Sequence, residues 1–438
     1  MKSSRTFNIE KLTYIALGIL IGSIVGLVIS VFRIIVVFFL NHLGSWYQII
    51  KSDPPLLIGW ILFMTTLGLI VSKLSKDEPD IKGSGIQNIG GQLYDLFEIN
   101  WFSVMWRKFL GSLIALGAGL ALSRRGPAIQ VGGAIGQGIN AFIKGDLTQK
   151  KILISAGVSA GLYAAFNAPI SGIVFILEEI HHKFSSILLL SAFSASIMAN
   201  FVVLKIVGLK PPLQIETLLQ YPIEHYLHLV IMGIMLAVAG RIYQASLLFT
   251  PKLYQKLPIS SHYHGVIPFL LVIPIGLFLP DLLGGGTSVI TMITSTRFST
   301  IALLGIFLVR FLFSQLSYGS GLPGGIFIPV LSIGALIGGI YGNGVLHFTG
   351  IEDAFIRSFI LYAMGGFLTA VTKSPLTSII LMIEMTGNLA QLMPLAIVVL
   401  SAYIVADLMG SESIYDELLN QKRASLSAYP DRPDSSKN

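Results

Sequence analysis

The sequence predicts an all-α protein that crosses a membrane many times and is built from two related halves. Three observations carry that prediction. Of its 438 residues 53% are hydrophobic and only 12% are charged, about half the charge of a soluble domain, and the mean hydropathy is +0.77. Apolar stretches close to the ~20 residues that span a bilayer recur from Tyr14 to Met409. A block of the first half returns in the second with Pro169 matching Pro375 and Glu178 matching Glu384, each pair 206 positions apart. This composition excludes a secreted disulfide scaffold and a disordered chain. There is no cysteine, hence no thiolate nucleophile or sulfur-ligated metal. The net charge of +7 is scattered over loops and termini, so no nucleic-acid partner is expected.

The elements follow in order. Met1 to Glu10 is polar and forms, with Lys11, a cytoplasmic N-terminal segment, 1–11. The run at 12–40 is too long for the core of a cleaved signal and reads as a retained first span. Further apolar segments fall at about 56–73, 104–122, 152–178, 185–207, 228–249, 265–283, 300–316, 326–346, 356–384 and 392–409. Together they make a transmembrane domain over 12–409, with repeat halves at about 12–208 and 225–409. Several segments are interrupted, around Gly126-Pro127, Pro169, Pro323 and Pro375. Broken helices survive in lipid where they line a polar cavity, and paired breaks in two halves point to a site between them. Gly18, Gly22 and Gly26, four residues apart, predict close helix packing. A short helix around Tyr415–Leu419 and a polar tail from Ala424 complete a C-terminal segment, 410–438, too small for a regulatory domain. Basic residues at both ends, among them Lys2, Arg5, Lys422 and Arg423, place both termini in the cytoplasm of a multi-pass cell-membrane protein.

Three Gly-bracketed segments stand where a polar loop meets an apolar run: Gly83-Ser84-Gly85-Ile86, Arg124-Arg125-Gly126-Pro127, and Gly324-Gly325-Ile326-Phe327-Ile328-Pro329. Each opens a helix in this reading, with Pro127 and Pro329 at the first helical position. Helix starts expose unpaired N–H groups and partial positive charge, and glycine lets an ion approach the backbone. Three starts converging would bind an anion weakly enough to release it. Taken singly, each segment is better read as a site of tight helix packing.

In combination the segments resemble the three signature motifs of the CLC chloride channels and transporters, of the short prokaryotic type without regulatory domains. Ala164-Ala165-Phe166-Asn167-Ala168-Pro169, the Glu178-Glu179 pair and Tyr415 match as well. The resemblance implies two inverted structural repeats, a homodimer in the lipid bilayer, and chloride as both cargo and bound ion, with no other cofactor and no metal. It further implies that the Ser84 and Tyr415 hydroxyls and the N–H groups of Ile326 and Phe327 coordinate the anion. Glu179 matches the internal proton-relay glutamate. Glu178 is divided between that function and a solvated helix end beside His181, His182 and Lys183, and Glu384 reads as structural.

Three positions depart from the family pattern: Gln87, Ser123 and Arg125. The first two reshape turns. Arg125 stands, with Gly126, at the gate position, where the family carries a glutamate that competes with the anion and moves when protonated. Arginine stays cationic and exchanges no proton between pH 5 and 8, which predicts anion flux without proton coupling; coupled chloride/proton antiport is the alternative. A guanidinium ~4 Å from an anion would attract it by ~4 kcal/mol at an effective ε of 20. We therefore expect the side chain to snorkel to the aqueous vestibule instead. A rival of another class, an intramembrane serine protease, rests on Gly157-Val158-Ser159-Ala160-Gly161. All eight histidines fall near segment ends, away from the membrane depth at which such an enzyme needs its base.

Overall fold

The computed structural model describes residues 2–166, 168–181, 185–208, 215, 218, 221–349 and 352–427. Asn167, His182 and Lys183 of the motifs above lie outside them, as does the tail from 428. The described residues contain helices and no strand, only two isolated bridges. Seventeen α-helices fall into eight, eight and one. The first half holds α1 (Lys2–Ser52), α2 (Pro54–Asp77), α3 (Ile86–Leu93), α4 (Trp101–Gly117), α5 (Arg125–Ile143), α6 (Leu147–Phe166), α7 (Pro169–Phe175) and α8 (Ser186–Ile206). The second half repeats the series as α9 (Tyr226–Gln255), α10 (Val266–Phe278), α11 (Thr287–Ser295), α12 (Thr300–Gly319), α13 (Phe327–Thr349), α14 (Ile356–Thr372), α15 (Pro375–Thr386) and α16 (Leu392–Leu408). Then comes α17 (Ile414–Ser427).

Local chemistry starts corresponding helices in the same way. Gly85 and Gly286, both left-handed at φ +83° and +115°, precede the short α3 and α11. Asn100 and Ser299 cap α4 and α12 by accepting from Ser103 N–H and Ala302 N–H. Pro169 and Pro375 open α7 and α15, dividing the apolar runs 152–178 and 356–384 as their prolines predict. The repeat offset is 206 there but 202 between Pro127 and Pro329. The four extra residues lie in α13, which has 23 residues against the 19 of α5. That is about one helical turn.

Helices α5, α6, α13 and α14 are buried along most of their length and form the core. Outer helices such as α1, α8 and α16 bury one stripe and leave Leu20, Phe201 and Leu400 exposed, as lipid-facing helices do. Among the described residues nine helical stretches are long and apolar enough to cross a membrane. The protein is thus a multi-pass membrane protein. Gly18, Gly22 and Gly26 do pack closely: a Cβ on Gly22 would lie 2.2 Å from the Ala195 carbonyl of α8. Two expected boundaries shift. The polar start is continuous with the first span in α1, and the last helix extends through Ala424 to Ser427.

The halves meet about a twofold axis. Ser123 and Gly325, 202 apart, exchange two backbone hydrogen bonds of 2.6 and 2.8 Å. Glu178 accepts from the N–H groups of Leu376 and Thr377 at the start of α15, at 2.9 and 2.7 Å. Glu384 accepts from Ile170 and Ser171 at the start of α7, at 2.9 and 2.8 Å. Contacts in which i meets j′ and j meets i′ are the mark of a twofold operator. Both acids are therefore helix caps, and Glu178 is no freely solvated helix end.

The candidate anion site

All three Gly-bracketed segments come together at this axis. Gly83 N–H donates to the Leu322 carbonyl, and Gly324 N–H donates back to the Gly83 carbonyl at 3.0 Å. A Cβ on Gly126 would lie 2.7 Å from Ser84 Oγ, and one on Gly325 would lie 3.0 Å from Gly126 N. A side chain would clash at Gly126 and crowd its neighbour at Gly325, so the two glycines let the starts of α5 and α13 approach closely. Pro127 and Pro329 sit at the third residue of their helices rather than the first. The substitution costs nothing there either, because the first turn has no intrahelical acceptor for those N–H groups.

Buried polar groups line the meeting point. Ser84 Oγ and the Tyr415 hydroxyl are buried and have no hydrogen-bond partner among the described residues. Ile326 precedes α13 and Phe327 is its first residue, so the Phe327 N–H has no acceptor within its helix. Tyr415 arrives on α17, which Lys422 fastens to Asp80 and Asn88 at 2.6 and 2.7 Å, beside the loop that carries Ser84.

Arg125 departs from expectation. Its side chain does not snorkel to water but is fully buried. The guanidinium carbon lies 3.5 Å from the centre of the Phe327 ring, 4.7 Å from Phe175 and 5.6 Å from Phe166. Three phenyl faces stabilise the cation where the route to water would strip it of them. Tyr415 and Glu179 lie within its electrostatic reach.

Glu179 is buried and accepts from the Ser413 hydroxyl, while Ser413 Oγ accepts from the Tyr415 N–H at 3.3 Å. One serine thus joins the candidate proton group to the backbone of Tyr415. Glu178, Glu179, Glu412 and Asp416 line a polar cavity of about 820 Å³. Ser159, the rival nucleophile, pairs with Ser196 Oγ at 2.7 Å. Its flanking Gly157 and Gly161 press against backbone carbonyls of Gly132 and Ala128. That motif packs one helix against its neighbours.

Reasoning from the sequence missed Phe166, Phe175, Ser413 and two buried cations. Lys108 on α4 donates to the carbonyls of Ile81 and Gly83 at 2.8 and 2.7 Å. Arg310 on α12 donates to those of Leu282, Gly284 and Gly285 at 2.8, 2.8 and 2.6 Å. They stand 202 apart, and each fixes the loop before a short helix. The lone Arg310 in an apolar run, at the offset of Pro127 and Pro329 from the Arg107-Lys108 pair, was the available signal.

Residues 63–407 match the family model described as voltage gated chloride channel. The H(+)/Cl(-) exchange transporter ClcA of Vibrio parahaemolyticus is 33% identical over 417 residues, covering 92% of this chain and 88% of the relative. Its namesake from Salmonella paratyphi B is 30% identical over 435 residues, covering 95% and 90%. The crystal structure of a slow cyanobacterial Cl-/H+ antiporter superposes with a TM-score of 0.88 at 29% identity, covering 94% of this chain and 98% of the other. A CLC-type fluoride/proton antiporter has the same fold at a TM-score of 0.76 and 20% identity, covering 92% and 97%. With sequence, fold and motif order in agreement along nearly the whole chain, it belongs to the CLC family of chloride channels and chloride/proton exchangers.

Proposed function

We propose that this chain exchanges chloride for protons across the cell membrane, with both termini cytoplasmic and residues 12–409 as the transport domain. Chloride passes Ser84, Tyr415 and the N–H groups of Ile326 and Phe327. Glu179 relays protons between the 820 Å³ cavity and the interior. The observation that carries this reading is that Ser413 donates to Glu179 and accepts from the Tyr415 backbone N–H, so that a change of charge on the carboxyl bears on the start of the helix that presents the Tyr415 hydroxyl. The relatives' names support coupled exchange over the uncoupled flux that Arg125 alone predicts. A homodimer belongs to the same reading, as the family resemblance implies; native mass measurement in detergent tests it.

The uncoupled reading keeps one specific support, the arginine at the gate position. Arg125 serves in the exchange reading as a fixed counter-charge and carries no proton. Purified protein in liposomes with a chloride gradient separates the two. Exchange drives protons uphill at a fixed ratio, and Glu179→Gln abolishes that movement while chloride still flows. Chloride flux with no proton movement in the unaltered protein establishes the uncoupled reading instead.

A further inference from the structure

Arg125 carries a bonding requirement that the described residues do not meet. Its Nε, Nη1 and Nη2 are buried and have no hydrogen-bond partner among the described residues. A buried guanidinium without acceptors is costly. The phenyl rings of Phe327, Phe175 and Phe166 answer its charge through their faces, but they do not take up its N–H groups. Those point outward in the guanidinium plane. At 3.5 Å from the Phe327 ring centre the group is held against a face, and its edge is what remains for an acceptor. Ser84 Oγ and the Tyr415 hydroxyl, equally buried and unpartnered, belong to the same neighbourhood. The start of α5, where Gly126 touches Ser84, adds backbone donors.

We propose that Arg125 holds a small planar monovalent oxyanion, of the nitrate, formate or bicarbonate class, through two parallel N–H···O bonds in its own plane. A halide occupies one point of the guanidinium fork; a planar oxyanion occupies both prongs. This site rests on the anion-pathway reading above and deepens it with a ligand class.

Calorimetric titration tests it on the full-length protein in chloride-free detergent buffer, with sodium nitrate, sodium formate and sodium chloride as probes. Nitrate and formate are expected to bind at least ~10-fold more tightly than chloride. Arg125→Lys keeps the charge without the fork, so it should bring that preference below ~3-fold, while Arg125→Gln weakens all three anions. Chloride binding as tightly as the oxyanions, or a preference that survives in Arg125→Lys, overturns the proposal. If neither variant folds, the anion order of the unaltered protein decides alone. Chloride flux measured in parallel keeps the two readings apart. Flux without oxyanion preference removes this proposal and leaves transport standing; oxyanion preference without chloride flux does the reverse.

Discussion

The two halves place different side chains on one frame, most visibly at α3 and α11. In front of α11 the space is filled: a Cβ on Gly286 would lie 2.6 Å from Arg310 Nη2 and from Ser332 Oγ. In front of α3 Lys108 donates to the Ile81 and Gly83 carbonyls, and a Cβ on Gly85 would lie 2.1 Å from Gln130 Oε1, but the neighbouring Ser84 keeps a hydroxyl without a partner among the described residues. At the axis Arg125 of one half lies against Phe327 of the other, again 202 apart. Duplication therefore supplies a scaffold, and the chemistry comes from breaking its symmetry. In the proposed anion site the first half and α17 supply side chains, while the second half contributes backbone and an aromatic wall.

The largest effect that sharpens this comparison is expected from the paired cations. Arg310→Met leaves three buried carbonyls without their donor and should cost ~3 kcal/mol or more, since each unsatisfied buried group costs ~1–3 kcal/mol. Lys108→Met releases two carbonyls and should cost less. Denaturant unfolding in detergent measures both. Equal losses would mean that the second half is no more tightly plugged than the first, and the contrast would fail.

Next come Gly286→Ala and Ser84→Ala, substitutions at the starts of α11 and α3 with opposite expected consequences. Alanine at Gly286 meets a left-handed φ of +115° and contacts of 2.6 Å, so it should cost ~2 kcal/mol of stability. Alanine at Ser84 removes a hydroxyl with no partner among the described residues and should change stability by less than ~0.5 kcal/mol. It should weaken chloride binding by ~10-fold, the loss of one hydrogen bond to a charged ligand at ~1.5 kcal/mol. Titration calorimetry and thermal unfolding on the same samples check the pair. A destabilised Ser84→Ala with unchanged chloride affinity would make that serine structural.

Much of the frame was legible in the sequence. Pro169, Pro375, Glu178 and Glu384 align at one offset because a cap and the helix it serves must move together, so the repeat stayed in register there. Only one offset was sought, and α13 contains four residues more than α5. That extra turn hid the matching pairs Lys108 with Arg310 and Arg125 with Phe327. The direction of Arg125 was beyond sequence reasoning for a different reason. Snorkelling is the default for a long cation in a membrane, and it is overridden by Phe166 and Phe175, which lie on α6 and α7 and meet Arg125 only after folding. Ser413 was invisible likewise: its two bonds join residues 234 and 2 positions away.

The smallest expected effect tests the symmetry itself. Glu178 and Glu384 each cap the first turn of the other half's helix, but Glu178 also accepts from Thr377 Oγ1 at 2.7 Å. At the equivalent place Ser171 Oγ turns back to the Ala168 carbonyl at 3.1 Å. Glutamine keeps one acceptor oxygen and loses both the second and the charge that favours a helix start. Each substitution should therefore cost ~1 kcal/mol, as cap and dipole losses do, with Glu178→Gln slightly ahead. Because both caps clasp the same pair of helices, α7 and α15, the two losses should not add. Once one cap is removed the helix starts relax apart, and the second carboxylate has less left to hold. The double variant should fall short of the sum by ~0.5 kcal/mol or more, the range seen for contacting residues. Strict additivity in denaturant unfolding would mean that each cap serves its own helix alone, and that the reciprocity at the axis is geometric without being energetic.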